Sequence, residues 1–156
     1  MKGRVVNKRA RYNLCFSDIS QEPDYENKLG RVVAYDEVPL LSKLRDGIIG
    51  LIEEKTKVDK QCDIKVEGNY YYDTKKCYIG WHGDTERRLV IGCRLGADFP
   101  LHFRWYCNSI LCNDRITSIN LKHGDMYIMS EYATGYNWKR KKFPTVRHSA
   151  GWCMIP

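Results

Sequence analysis

Residues 64–150 alternate between short apolar runs and turn-forming residues, and this rhythm restricts the fold more than any other feature of the chain. The runs fall at 64–72, 77–82, 88–95, 101–107, 115–121, 125–130 and 144–150. Turn signals such as Gly83-Asp84 and Asn113-Asp114 separate them. Several short strands at this spacing predict a β-sandwich or jelly roll.

One amphipathic helix is predicted before these strands, over residues 38–57. Pro39 suits its first turn. Its apolar residues recur at helical spacing, at Val38, Leu40, Leu41, Leu44, Ile48, Ile49, Leu51 and Ile52. We expect this apolar face to pack on a sheet, so the predicted fold class is mainly β with a flanking helix.

The domain organisation follows from the length of the chain. A chain of 156 residues is long enough for one domain with its own core, and we expect a single domain over residues 1–156. Residues 1–30 are polar and are interrupted by Gly3, Pro23 and Gly30. We expect them to form an irregular arm or lid, with a frayed terminus as the alternative, and Leu14–Phe16 and Arg31–Tyr35 resemble short strands.

The charge distribution suggests one class of partner. The net charge is +7, and both Met1–Tyr12 and Trp138–His148 carry basic residues without any acid. Such clusters suit a polyanion such as DNA or RNA, or they simply form solvated faces that keep the protein soluble. No apolar run is long enough to span a membrane and no signal-peptide pattern opens the chain, so an intracellular, soluble protein of the cytoplasm or nucleus is expected, with no membrane partner.

The cysteines predict free thiols. The chain has 7 of them and contains no Cys-x-x-Cys. An odd count without paired spacing argues against a disulfide framework and against a zinc ribbon. Buried free thiols in a reducing compartment are the simpler interpretation, and we interpret Cys107 and Cys112 as packing residues.

The strand-and-turn segment that holds His82 and Asp84 carries the clearest chemistry. Residues two apart on a strand face the same side, so an imidazole and a carboxylate at this spacing can bind one metal ion. A second histidine from a distant strand would complete a facial triad, the ligand set that leaves positions open for a 2-oxoacid and O2 on Fe(II). Alone, His-x-Asp is a weak signal, and its alternative is an ordinary histidine beside a turn.

Four motifs in order make the signal more specific. They are Gly68–Asp73, Ile79–Glu86, Val90–Gly96 and Leu121–Ser130. Together they resemble the AlkB-like Fe(II)/2-oxoglutarate-dependent dioxygenases, in which an Asn-x-Tyr element precedes the His-x-Asp pair and a Leu-x-x-Gly-Asp-x-x-x-Met strand follows it. The resemblance covers roughly residues 66–150.

The resemblance implies a double-stranded β-helix, which is a cupin-like jelly roll, with Fe(II) as cofactor and with 2-oxoglutarate and O2 as cosubstrates. It implies that His82 and Asp84 are metal ligands and that Asn69 and Tyr71 contact 2-oxoglutarate. Three consecutive tyrosines leave Tyr72 as an alternative to Tyr71. No catalytic residue beyond the metal ligands is implied.

The third ligand departs from the family pattern. Where the family often has Trp-x-His, this chain reads Trp138-Lys139-Arg140. His123 stands in a Lys-His-Gly-Asp turn, which favours a role in the turn. His148 belongs to the last predicted strand, and we therefore predict it as the third ligand.

The family also anchors the far carboxylate of 2-oxoglutarate with an arginine on a final strand. Arg147 is the nearest match, because a guanidinium forms a bidentate pair with a carboxylate. Arg147 and His148 are neighbours, however, and neighbours on a strand face opposite ways. Arg94 and Arg104 are the alternatives for this anchor.

The expected function is oxidative demethylation or hydroxylation, with a modified nucleobase as the favoured substrate. A flipped base would find tyrosine and tryptophan side chains for stacking. Two alternatives stay open: a hydroxylase of a protein side chain or small molecule, and a catalytically silent nucleic-acid-binding module on the same fold.

Overall fold

The structure is a computed structural model that describes residues 11–56 and 64–154. It is mainly β, with one α-helix in the described residues. The elements in chain order are β1 (Tyr12–Ser17), β2 (Val32–Ala34), a 3-10 helix (Tyr35–Glu37), α1 (Pro39–Thr56), β3 (Glu67–Tyr70), β4 (Ile79–His82), β5 (Val90–Cys93), β6 (Phe99–Cys107), β7 (Ile110–Leu111), β8 (Thr117–Leu121), β9 (Met126–Met129), β10 (Thr145–Ala150) and a 3-10 helix (Trp152–Met154).

The described residues divide into two compact units. We call them the helical unit, Tyr12–Tyr70, and the strand unit, which consists of Arg11 and the described part of Tyr71–Pro156. In the helical unit, β1 pairs parallel with β2 and antiparallel with β3, which gives the sheet order β2-β1-β3. Whether the chain forms a single domain stays a prediction.

Nested antiparallel pairs organise the strand unit. β4 pairs with β10, β5 pairs with β9, and β6 pairs with β8, so the chain doubles back on itself as one long ribbon. β10 also pairs with β6, which curls the ribbon. The resulting sheet has the order β4-β10-β6-β7, and β8 also pairs with β6. The strand that ends at His82 thereby lies beside the last strand of the described chain.

A small apolar core fills the strand unit. Its buried members are Phe99, Leu101, Leu121, Met129 and Ala150. Phe99 and Leu101 are two residues apart on β6 and therefore face the same side of the sheet, and the residues next to them, Pro100 and His102, are buried on the other side. Burial of each large side chain stabilises the unit by about 1.5–3 kcal/mol.

The predicted elements are confirmed for the most part. Strands occur in each of the seven predicted ranges, although β6 begins earlier, at Phe99, and the predicted helix is observed as α1. Within residues 1–30, Tyr12–Ser17 forms β1 around the suggested Leu14–Phe16, and residues 1–10 lie outside the described residues.

The helix is less buried than its sequence predicts. No residue from Pro39 to Lys55 of α1 is fully buried, and Leu40 and Leu51 of the apolar set are 80% and 55% exposed. The other apolar positions are half-buried, so packing of the apolar face is only partial. Among the described residues, no helix combines the length and apolar character that crossing a membrane requires.

The cysteine prediction is wrong at one hairpin. Cys107 and Cys112 form a disulfide, which closes the loop between β6 and β7. Asn108 and Ser109 occupy left-handed conformations with φ of 52° and 66°, as a tight two-residue hairpin turn requires. That turn brings the two strands, and with them the two thiols, together. Of the four described free cysteines, only Cys77 is fully buried.

Candidate metal centre

Three predicted ligands meet on one face of the β4-β10-β6 sheet. His82 ends β4 and lies directly opposite His148 of β10, with their ring centroids 4.2 Å apart. Asp84 lies two residues beyond His82, and its Oδ1 is 3.7 Å from His82 Nε2. One donor atom from each of the three residues lies within 4.8 Å of the others. The strand period and the strand pairing therefore bring together the imidazole, carboxylate and imidazole that the sequence predicts.

A backbone contact orients the His82 ring. Its Nδ1 lies 2.8 Å from the carbonyl oxygen of Gly80, which can only accept, so Nδ1–H donates and carries the ring proton. The lone pair of the neutral ring is therefore on Nε2, the atom that faces Asp84. Metal-binding histidines in proteins almost always donate their second ring nitrogen in this way, which fixes both tautomer and orientation.

Burial keeps the His148 ring neutral. It is 8% exposed, and this burial lowers its pKa to about 3, with the nearby His82 and Arg87 adding to the effect. The backbone of Ala133 and Thr134 lies close enough to the ring to oppose this lowering, although no hydrogen bond of good geometry reaches its buried Nδ1. A neutral imidazole is the form that binds metals, so the protonation state of His148 fits a metal ligand.

The separation of the donor atoms also fits a metal ion that draws them together. Donors on neighbouring positions of a shared ion lie about 3 Å apart, since each is about 2.0–2.2 Å from the metal. The three side chains must therefore approach one another by about 1–2 Å on binding.

The turn segment 131–139 holds the backbone of Asp84 in position. The backbone N–H of Asp84 donates to the carbonyl of Thr134 over 2.9 Å. Gly83 lies against this segment so closely that a Cβ there would be 2.6 Å from the carbonyl oxygen of Gly135 and 2.7 Å from Cβ of Trp138. Sequence reasoning missed this role of Gly83 and Trp138. Glycine between the two ligands was the available signal, since it often marks a close approach of backbone.

Arg147, the predicted anchor for 2-oxoglutarate, is not brought to this cluster. It pairs with Arg104 of β6, while His148 pairs with Phe103, so the two arginines lie on the opposite face of the sheet. The guanidinium carbon of Arg147 is 4.1 Å from the centre of the Tyr106 ring. The alternation along β10 therefore separates Arg147 from the three candidate ligands.

Arg94, one of the alternatives, is brought together with Tyr71. Its guanidinium carbon lies 5.1 Å from the centre of the Phe99 ring, a core residue, and 5.8 Å from that of Tyr71. Its Nε is buried without an acceptor among the described residues. Burial raises the pKa of Tyr71 to about 12, an effect that the charges of Arg94 and Arg11 and a hydrogen bond from the Arg94 side chain oppose. Tyr71 thus keeps its proton. Its hydroxyl and the guanidinium of Arg94 are two hydrogen-bond donors that lie near each other in a partly buried position.

The remaining predicted residues lie elsewhere. Asn69 is exposed on β3 of the helical unit, and its role with 2-oxoglutarate stays a prediction. Tyr72 is 44% exposed, whereas Tyr71 packs against the core. His123 Nδ1 accepts a hydrogen bond from the backbone N–H of Gly96 over 2.9 Å, which confirms its role in a turn.

Comparison with known proteins identifies one relative. The chain is similar to an uncharacterized protein of Acanthamoeba polyphaga mimivirus, with 48% identity over 151 residues. These residues are 97% of this chain and 56% of the viral protein, so the chain spans little more than half the length of that relative. No protein-family model and no solved structure matches the chain.

Proposed function

We propose that this chain is an AlkB-like Fe(II)/2-oxoglutarate-dependent dioxygenase that demethylates or hydroxylates a modified nucleobase. The observation that carries the proposal is the cluster of His82, Asp84 and His148 on one face of two paired strands. Its donor set, two imidazoles and one carboxylate, matches the facial triad of non-haem Fe(II) oxygenases.

The strand order supports the fold that this proposal requires. A double-stranded β-helix is a long two-stranded ribbon rolled into a barrel-like sandwich. The nested pairs β4·β10, β5·β9 and β6·β8, together with the closing pair β6·β10, follow that pattern. We therefore assign the strand unit to the jelly-roll, cupin-like class.

The cosubstrate is assigned to Tyr71 and Arg94 in place of Arg147. A carboxylate of 2-oxoglutarate would supply the acceptor that buried Nε of Arg94 lacks, and protonated Tyr71 would donate a second hydrogen bond. Arg147 faces away from the candidate ligands, which makes it the weaker choice. Asn69 remains part of this proposal from the sequence resemblance alone.

The protein's own residues have distinct tasks in this scheme. His82, Asp84 and His148 would hold the ion, which when bound would supply the redox chemistry for oxidation of the substrate with O2 and 2-oxoglutarate. The carbonyl of Gly80 fixes the tautomer of His82. Phe103, whose ring centroid is 6.5 Å from that of His148, contributes an apolar wall that limits access of water.

The nucleobase is proposed from the family resemblance and from the basic segment Trp138–His148, which lies in the same unit as the cluster. A protein side chain or a small molecule is the alternative substrate. A catalytically silent nucleic-acid-binding module is the alternative outside enzymes. Turnover of 2-oxoglutarate to succinate separates the two enzymatic proposals from the silent module.

The direct test is anaerobic addition of Fe(II) and 2-oxoglutarate, followed by the weak visible charge-transfer band of a metal-chelated 2-oxoacid. We expect the band in the native chain and its loss in His82→Ala and His148→Ala. His123→Ala is the matched control, since it removes a histidine that serves a turn and leaves the cluster intact.

The outcomes divide the proposals cleanly. A band that all three variants retain would place the metal elsewhere and refute the assigned ligands. No band in the native chain would refute the oxygenase. A band without succinate formation in air, in the presence of methylated oligonucleotides, peptides or metabolites, would favour the silent module.

A further inference from the structure

Arg104 and Arg147 lie directly opposite each other on β6 and β10. Side chains at such paired positions begin about 5 Å apart, and like charges placed there repel each other. Among the described residues, neither guanidinium forms an ion pair with an Asp or Glu side chain. This pair of positive charges therefore lacks a counter-charge within the described protein.

Aromatic rings hold the two arginines in place. The guanidinium carbon of Arg147 lies 4.1 Å from the Tyr106 ring centre and 5.3 Å from that of Trp138, and the guanidinium carbon of Arg104 lies 4.7 Å from that of Trp81. Stacking restrains a guanidinium while its edge keeps its N–H donors available. Both arginines are half-buried, so part of each side chain is accessible to a ligand, whereas the two Nε atoms are buried.

Several donors in this cluster have no acceptor. Nε of Arg104, Nε of Arg147 and Nε1 of Trp138 are all buried and without a hydrogen-bond partner in the described protein. Buried donors in folded proteins are nearly always paired with protein or with ordered water, so three such donors in one cluster favour an acceptor that the protein itself does not supply. One oxyanion would satisfy donors and neutralise charge together.

The surrounding charge favours an anion with more than one negative charge. Lys139 extends over the Trp138 ring, with its Nζ 5.4 Å from the ring centre, and three further basic residues follow it. No Asp or Glu occurs in the sequence from Tyr132 to Pro156. Phosphate oxygens match the fork of a guanidinium, and a phosphate group carries the charge that these residues lack.

We propose that Trp81, Arg104, Tyr106, Trp138, Lys139 and Arg147 form a phosphate-binding site on the sheet face opposite the candidate metal centre. The site is distinct from the proposed cosubstrate position and does not depend on bound metal. Its ligand is a phosphate oxyanion, either in a small polyphosphate or in the phosphodiester backbone of a nucleic acid.

Tryptophan fluorescence provides the test, since Trp81 and Trp138 belong to the cluster. The native chain is titrated with pyrophosphate and, separately, with a short single-stranded oligonucleotide at low salt. We expect a saturable change in fluorescence with at least one probe. Arg147→Gln and Arg104→Gln should each weaken binding by roughly tenfold to a hundredfold, the usual effect of losing a charge-assisted hydrogen bond.

Arg115→Gln is the matched control, because Arg115 is exposed and lies outside the cluster. It removes the same charge and should leave binding within about twofold, since a single distant exposed charge is largely screened. Stronger binding of pyrophosphate would identify a small phosphate ligand. Stronger binding of the oligonucleotide, with steep weakening by salt, would identify the backbone of a nucleic acid.

Two results would overturn the proposal: no saturable response to either probe, or equal weakening by Arg115→Gln and Arg147→Gln. Melting temperatures guard against misfolding, since the bound probe should raise that of the native chain and leave that of Arg147→Gln unchanged. His82→Ala should bind phosphate normally. Failure of this site is therefore distinguishable from failure of the iron proposal, which is read from the charge-transfer band.

Discussion

Replacement of Gly83 by alanine should damage the candidate metal centre without touching a ligand. The added Cβ would lie 2.6 Å from the carbonyl oxygen of Gly135 and 2.7 Å from Cβ of Trp138. Ordinary contacts of this kind are about 3.5–4 Å, so the turn segment must move away by nearly 1 Å. Thr134 belongs to the same segment and holds the backbone of Asp84, so the carboxylate should move as well.

The expected cost follows from this overlap. Overpacking of a tight contact typically destabilises a protein by about 1–3 kcal/mol. If the same strain opposes metal binding, Fe(II) affinity should fall by roughly tenfold to a hundredfold. Urea unfolding measures the first effect, and anaerobic titration of Fe(II) measures the second.

Gly80→Ala is the control for this prediction. Gly80 lies on β4 too, but a Cβ there would meet no atom within 4 Å. The carbonyl that orients His82 belongs to the backbone and would remain. We expect stability and Fe(II) affinity close to those of the native chain. The reasoning fails if Gly83→Ala and Gly80→Ala behave alike in both assays.

Three further predictions follow from the strand unit. Because burial lowers the pKa of His148 to about 3, the unfolded metal-free chain takes up a proton below about pH 6.5 that the folded chain does not. The free energy of unfolding of the native chain should therefore fall between pH 7 and pH 4. This fall should exceed that of His148→Gln by up to roughly 3 kcal/mol. Equal falls in the two proteins would contradict the prediction. Reduction of the Cys107–Cys112 disulfide should lower the free energy of unfolding by at most about 2 kcal/mol, because the closed loop is short. Urea unfolding with and without reductant measures this change, and a larger loss would mean that the bond supports more than its hairpin. Arg94→Gln should raise the 2-oxoglutarate concentration that half-saturates the charge-transfer band by roughly tenfold or more, while Arg147→Gln leaves it unchanged; the reverse result would restore Arg147 as the anchor.

The strands and two of the candidate ligands could be predicted because they depend on local pattern. The two-residue spacing keeps His82, at the end of β4, and Asp84, just beyond it, close together. The position of His148 depends on pairing between distant strands, which no local pattern specifies. It could be proposed only because few histidines follow the metal pair and one of them stands in a turn.

Other features depended on long-range packing and were missed. Because neighbouring residues on a strand face opposite sides, the sequence already indicated that Arg147 faces away from His148. Nothing local indicated that Arg94, just beyond β5, would lie near Tyr71 and Phe99. The disulfide had a local signal in the Asn108-Ser109 turn. The predicted strand stopped at Cys107 and took no account of the short return strand β7.

The nested ribbon also has a consequence for the order of folding. Its closed end, at β6 and β7, joins residues close in the sequence, whereas the pair β4·β10 joins its most distant strands. Contacts between distant residues cost more chain entropy, so pairing should proceed from the hairpin outward and bring His82 beside His148 last. A metal ion held by both histidines would then link β4 to β10 at the open end of the ribbon. Such an ion would slow unfolding more than it speeds folding.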